Sequence, residues 1–176
     1  MGSLFRRMMG AAKLQVATYE EVEADKGATG QALFVVLLSA VAIMVGDIRP
    51  GEVHLFANLL GGLLAWITWI FLVWVVGVKI LPEAETRSDV GELVRTTGFA
   101  ATPGVLRVLG VLPMLGWVVV IVAWLWTLAA MVVGVRQALD YKSTWRAVAV
   151  CVIGFVGQLM VIYVEWYVLR NLTAAS

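Results

Sequence analysis

Cysteine and histidine are almost missing from this chain: 176 residues contain one of each, Cys151 and His54. A single cysteine excludes an internal disulfide framework and any site built from several thiolates. The lone histidine has Asp47 and Glu52 nearby, but that spacing matches no recognised metal site, so His54 is read as part of a solvated loop and no metal or other cofactor is expected. Charge is scarce as well. Asp, Glu, Lys and Arg make up 14% of the chain, against about a quarter in soluble domains. A net charge of +1 supplies none of the basic field that nucleic acid requires, so no nucleic-acid partner is expected. No charged residue occurs between Leu55 and Val78, or between Val108 and Val135.

What fills the space is apolar. Hydrophobic residues reach 61% and the mean hydropathy is +0.91. Runs of about 20 such residues span a bilayer core at 1.5 Å per helical residue. The expected fold class is therefore all-α: a polytopic membrane bundle of five transmembrane helices. The spans are placed at about 30–47, 54–81, 91–110, 114–139 and 144–169, together forming a domain over 29–170. Residues 1–28 form an amphipathic arm before it and 171–176 a short tail. Pro50, Pro82 and Pro113 punctuate the connections. The third span is the weakest, being short and interrupted by Pro103 and Arg107.

In the arm, Phe5, Met8, Met9, Ala12 and Val16 recur at helical spacing between Arg6, Arg7 and Lys13. Either a helix lying on the membrane surface or one packed under the bundle fits that pattern. Thr18 with Glu21 has the spacing of a capping box. The acidic stretch from Glu20 to Asp25 before the first apolar run argues against a cleaved signal peptide. Arg6 stands where myristoylated chains carry Ser or Thr.

Charge counting orients the bundle. With five spans, Arg6, Arg7, Lys13, Lys26, Lys79, Arg87, Arg95, Arg136, Lys142 and Arg146 fall on one side, and only Arg49, Arg107 and Arg170 on the other. Positive residues stay cytoplasmic, so the N-terminus is expected inside, the C-terminus outside, and the location a cytoplasmic (inner) membrane.

Membrane helices associate through small residues and place polar groups inward. Four stripes fit: Ala32, Ser39, Ala42 and Gly46; Asn58, Gly61, Gly62, Ala65 and Thr68; Gly116, Ala123, Thr127 and Gly134; and Ala147, Cys151, Gly154, Gln158 and Glu165. Asn58, Thr127 and Gln158 are thereby expected inside, with Arg107 and Glu165 completing a candidate intramembrane polar cluster. An unpaired charge costs about 2.5–3.5 kcal/mol at mid-membrane and less near the interface. Arg107 and Glu165 are read as reaching the headgroups separately, with mutual pairing, or pairing with Asp47, as the alternative. Trp66, Trp69, Trp124 and Trp126 lie deeper than the usual aromatic belts, and packing bulk is preferred over a lipid-accessible groove.

No catalytic constellation is present. Asp47 has no second intramembrane aspartate, Cys151 has no histidine in its segment, and no glycine loop could cradle phosphate. An enzyme is not expected.

Three stretches carry a family likeness: Thr18-Tyr19-Glu20-Glu21-Val22-Glu23-Ala24-Asp25; Val94 to Gly116, reading VRTTGFAATPGVLRVLGVLPMLG; and Val133-Gly134-Val135-Arg136-Gln137-Ala138-Leu139-Asp140 followed by Thr144-Trp145-Arg146-Ala147. In this order they resemble the bacterial branch of the Yip family, the Ypt/Rab-interacting multi-span proteins, over roughly Phe5 to Val168. The resemblance implies five helical spans with a cytoplasmic N-terminus and supplies no catalytic residue. Eukaryotic members are associated with vesicle trafficking, prenylated Rab GTPases and oligomers. They also carry a longer N-terminal cytoplasmic region than the roughly 26 residues preceding the first span here.

Two functions follow as expectations. The first is a non-enzymatic module for membrane organisation, lipid handling or partner docking. Its partners are membrane lipids, further copies of the chain, and a protein at the cytoplasmic face, where Arg136, Gln137, Asp140, Lys142 and Arg146 form the candidate docking loop. The alternative is a small oligomeric channel or transporter for ions, solutes or lipids, lined by the polar cluster.

Overall fold

A computed structural model describes residues 2–46 and 55–174, with the side chains of residues 55–58, 165, 168–169 and 171–174 outside that description. The described residues are helical, with no strand among them. Four helices are long and apolar enough to cross a membrane: Lys26–Gly46, Leu59–Ile80, Gly116–Ala138 and Thr144–Val164.

In chain order, α1 (Gly2–Ala12) and α2 (Val16–Ala24) form the arm. Leu14 turns the chain between them with a φ of 58°, a left-handed conformation uncommon for a leucine. A short 3-10 turn, Lys26–Ala28, leads into α3 (Thr29–Gly46). Helix α4 (Leu55–Trp74) continues as a π-helical stretch, Val75–Ile80. Then come α5 (Val90–Ala100), a 3-10 stretch Thr102–Val111, α6 (Gly116–Ala138) and α7 (Thr144–Ala174).

The expected third helix is thus two pieces. A true capping box starts α5: the Asp89 side chain accepts from Glu92 N–H while Glu92 accepts from Asp89 N–H. Proline lacks the N–H that the α ladder would need at 103, so the chain tightens into 3-10 geometry there. The box expected at Thr18 is not formed. Helix α2 begins one turn earlier, after Gln15, and Glu21 is drawn to Arg6 and Arg7 instead.

Glycines let the broken third segment lie between α3 and α6. A Cβ on Gly98 would meet Ala32, one on Gly104 would meet Ser39, and one on Gly46 would strike the Arg107 carbonyl. The segment therefore runs beside α3 in the same direction, from the level of Ala32 to that of Gly46. Against α6 it runs oppositely: Thr96 faces Gly134, Gly104 faces Thr127 and Gly110 faces Val120. Its buried Thr96 and Thr97 hydroxyls bond back to Glu92 and Leu93 carbonyls of their own helix.

Two cores flank α5 and α6. One joins Ile70, Val73, Leu93, Val135, Leu139 and Val150, tying α4 and α7 to the centre. The other joins Ala11, Tyr19, Val22, Val35, Phe99 and Ala130, and it contains the arm. The arm is packed into the bundle: Ala11, Tyr19 and Val22 are fully buried, and Trp126 Nε1 donates to Ala12 O at 2.7 Å. Phe5, Met9 and Val16 remain exposed along it.

The stripes on α3, α6 and α7 are inward as expected at Ala32, Ser39, Ala42, Gly116, Ala123, Gly134, Ala147, Gly154 and Gln158. On α4 the expectation fails. Gly61 and Gly62 are exposed with nothing within 4 Å of an added Cβ. Helix α4 buries Ile70 and Val73 instead, and the π stretch after it buries Val76, because only the C-terminal half of this span packs into the core.

Candidate functional site

Three constellations stand out: a charged lock on the arm, a tied pair of loops, and an intramembrane groove.

The arm lock is built on arginines. Arg7, 8% exposed, donates to Glu21 at 2.9 Å, Asp25 at 2.7 Å and Gln31 at 3.1 Å. Arg6 makes a bidentate pair with Glu21, both bonds 2.7 Å, the strong geometry for guanidinium and carboxylate. Hydrogen bonds and charge from Arg6, then Arg7, hold the Glu21 carboxyl down at about 2. Arg95, 5% exposed, reaches from α5 to the end of α2, donating to Val22 O at 3.1 Å and to Glu23 O at 2.9 and 2.5 Å. Helix C-termini leave carbonyls without intrahelical partners, and a cation there also meets the negative end of the helix dipole. Arg95 is thus the C-terminal cap of α2. Nearby, burial first, then the charges of Asp140 and Glu92, pushes the Glu23 carboxyl up to about 7. The acidic stretch after Thr18 is accordingly the acceptor half of the lock. Sequence reasoning counted Arg7 and Arg95 as topological charges, with Arg7 also on the polar face of the arm, and assigned neither a partner.

The loop pair centres on Tyr141. In the π stretch Leu81 N–H donates to Val76 O, five residues back, at 2.8 Å. In that register the Gly77 carbonyl would need an N–H from residue 82, which is proline and has none. The buried Tyr141 hydroxyl fills the gap, lying 2.9 Å from Gly77 O and 2.7 Å from Leu81 O. Around it the candidate docking residues are engaged internally. Arg136 donates to the carbonyls of Tyr141 and Lys142. Lys142 Nζ pairs with Glu85 at 2.9 Å, and Arg146 lies 3.6 Å from Glu83. Gln137 donates to Glu20 at 3.4 Å. Asp140 turns the chain with a φ of 53°, and burial followed by the charge of Glu85 raises its carboxyl above the ordinary value.

The groove lies between α4, α6 and α7 and holds about 570 Å³. Trp66, Trp69 and Trp124 line it, with Leu128, Phe155 and Gln158. Three of the four deep tryptophans therefore wall one cavity, while Trp126 serves the arm. A smaller cavity of about 230 Å³ lies between α3, α4 and α6, and the two share Trp66, Thr127 and Met131.

Of the expected polar cluster, the structure brings Thr127 and Gln158 together on the groove wall. Arg107 is apart, at the end of α3 beside Gly46. The side chains of Asn58 and Glu165 lie outside the described residues, and with them the Arg107–Glu165 pair; so do Asp47, Glu52 and His54. Among the described residues no group of three His, Cys, Asp or Glu could hold a metal.

Four membrane-length apolar helices define an integral membrane protein of the helical multi-pass class. Residues 14–164 match the Yip1 domain, and the chain belongs to that family. No curated protein matches the chain, and no solved structure does.

Proposed function

We propose that the chain is a non-enzymatic multi-pass protein that organises its membrane by holding lipid between its helices and docking partners at the arm face. The observation that carries this reading is the α4–α6–α7 groove, large, walled by tryptophan and aliphatic side chains, and without a charged residue among the described residues of its lining. An ion path would instead need a continuous row of polar or charged groups.

On this reading the chain crosses five times. The two-piece third segment, which keeps pace with α3 from Ala32 to Gly46, supports a crossing despite its low hydropathy. The ten-to-three distribution of Lys and Arg supports a cytoplasmic N-terminus, an outer C-terminus and residence in a cytoplasmic membrane. The exposed Gly61–Gly62 face of α4 suits close approach by a second copy. The arm face, where the lock and the tied loops meet through Gln137 and Glu20, is the surface for a protein partner.

The test is reconstitution into phosphatidylcholine vesicles with two readouts, ion and proton flux and photolabelling by lipid probes. Flux equal to empty vesicles together with lipid labelling of α4, α6 or α7 is the expected result. Flux above background that Glu165→Gln abolishes would overturn it in favour of a conduit.

A further inference from the structure

Helix α6 serves as a depth scale for the arm. Its stretch Trp117–Val135 carries no charge, and at 1.5 Å per residue it is about 28 Å long. A hydrocarbon core is about 30 Å thick, so the whole stretch lies within it. Contacts with the arm run down this scale. Gln137 holds Glu20 at 3.4 Å, the Tyr19 ring lies against Gly134, and Trp126 Nε1 donates to Ala12 O at 2.7 Å. Trp126 stands midway along the stretch, roughly 13 Å from either end. An indole is too short to cover that distance, so Ala12 and the turn after it lie below the hydrocarbon boundary.

The turn is built for a place without water. The last four carbonyls of a helix have no intrahelical donor, and in lipid each must be met by protein. At the end of α1 each has one. Lys13 N–H donates to Met9 O at 3.0 Å and Gln15 N–H to Gly10 O at 3.0 Å. Ala11 O accepts from Leu14 N–H at 2.9 Å and from the Tyr19 hydroxyl at 3.1 Å. Ala12 O takes the Trp126 indole N–H of a spanning helix. A turn at the water surface would leave such carbonyls to solvent.

Charge follows the same division. Between Met8 and Tyr19 the only charged residue is Lys13, an exposed side chain whose ammonium rides a flexible apolar stem and can snorkel toward phosphates. Glu20, Glu21, Glu23 and Asp25 all stand toward the opposite end, with Arg6 and Arg7 paired to Glu21 and Asp25. Met9 and Val16 are 41% and 42% exposed, and Ala17 is exposed beside them. At this depth the material that meets them is acyl chain.

We infer that the arm is a re-entrant hairpin: α1 and α2 enter one leaflet side by side, turn at Leu14 inside the hydrocarbon, and lay Met9, Val16 and Ala17 against acyl chains, with Lys13 reaching back to lipid phosphate. The arm is thus a lipid-contacting surface at its turn and offers a protein partner only its charged end. The placement depends on α6 crossing the bilayer. It is independent of what the α4–α6–α7 groove holds and of the side of the membrane on which the arm lies.

Nitroxide labels test the depth. In a Cys151→Ala background, which removes the one native cysteine, single cysteines replace Ser3, Met9, Val16 and, as the hydrocarbon reference, Leu125 on α6. All four positions are exposed, so the substitutions leave the core intact. The full chain is reconstituted in vesicles of phosphatidylcholine and phosphatidylglycerol, and collisions with oxygen and with a water-soluble nickel chelate are read by EPR. Oxygen concentrates in hydrocarbon and the chelate stays in water. The oxygen-to-nickel ratio should rise from Ser3 through Met9 to Val16, exceeding the Ser3 value there about tenfold and approaching that of Leu125. A Val16 ratio equal to that of Ser3 puts the turn in water and overturns the hairpin. A Val16 label shielded from both reagents means that protein covers this face, and it overturns the lipid contact. A second readout needs no mutation: diazirine-phosphatidylcholine should label the wild-type peptide spanning 8–19. Labelling of the Leu125 peptide without any on 8–19 also overturns the inference.

Discussion

Replacing Arg95 by methionine should release the arm from the bundle. Methionine keeps much of the apolar stem, so the change removes chiefly the guanidinium and its bonds to Val22 O and Glu23 O. A hydrogen bond from a charged donor contributes about 1.5–3 kcal/mol. Two carbonyls are served by a side chain that is 5% exposed, and water entering the opened site offsets part of the loss. A net cost of about 3 kcal/mol follows, with each 1.4 kcal/mol a factor of ten in the opening equilibrium. Amide hydrogen exchange in α2 should therefore accelerate about 100-fold, while α6 amides around Ala130 change far less, because local openings are graded across a fold. Arg95→Lys, retaining one charged donor without the fork, should fall between. If α2 protection in Arg95→Met stays within twofold of wild type in a folded protein, the arm is held by its apolar core alone and the capping argument is wrong.

The pH dependence of stability follows from two carboxylates of opposite sign. Glu23 titrates at about 7 in the fold and near 4.5 unfolded, so the folded state keeps a proton that the unfolded state has lost. Stability falls as pH rises from about 4.5 to 7, by ~3 kcal/mol at 1.36 per unit and by about 1–2 after solvent screening of a half-exposed group; thermal melts in detergent should show this slope, and Glu23→Gln should flatten it. Glu21, held at about 2, contributes stability above 4.5 that is lost as pH falls toward 2, so Glu21→Gln should lessen acid sensitivity. Tyr141→Phe removes the one hydroxyl proton that the Gly77 and Leu81 carbonyls share and should lower the unfolding free energy in denaturant titration by about 1–3 kcal/mol; an unchanged midpoint would show that the π stretch does not depend on the hydroxyl. Gly46→Val puts a side chain onto the Arg107 carbonyl and should cost about 1–3 kcal/mol through backbone displacement, read as a lowered midpoint with unchanged helicity.

The four long apolar helices were legible in the sequence because hydropathy and charge spacing report membrane length directly. Pro103 marked the break in the third segment. Long-range partners were not legible. Arg95 lies 72 residues from Glu23, and no periodicity signals such a bond. Tyr141 was passed over for the same reason, although Pro82 hinted that a carbonyl one turn earlier would need a donor. The α4 stripe misled because small residues permit close approach without requiring it: Gly98, Gly104 and Gly110 meet α3 and α6, whereas Gly61 and Gly62 meet nothing. Of the candidate cluster, helical periodicity put Thr127 and Gln158 on inward faces, and both line the same groove. Trp66 and Trp69 were seen as deep, but that they enclose a volume depends on three helices diverging, which no single stretch encodes.

The two-piece third segment carries a consequence for how the protein is made. It contains Arg95, Thr96, Thr97 and Arg107 and is not among the helices apolar enough to cross alone, so on the five-crossing reading the insertion machinery will not commit it to lipid by itself. Its Arg95 is met by the arm and its Thr96 and Thr97 hydroxyls by their own helix, and its glycines seat on α3 and α6. α3 must therefore already stand in the bilayer, and the segment enters only as α6 emerges behind it. A ribosome stalled before Gly116 should carry a chain whose third segment is still outside the membrane.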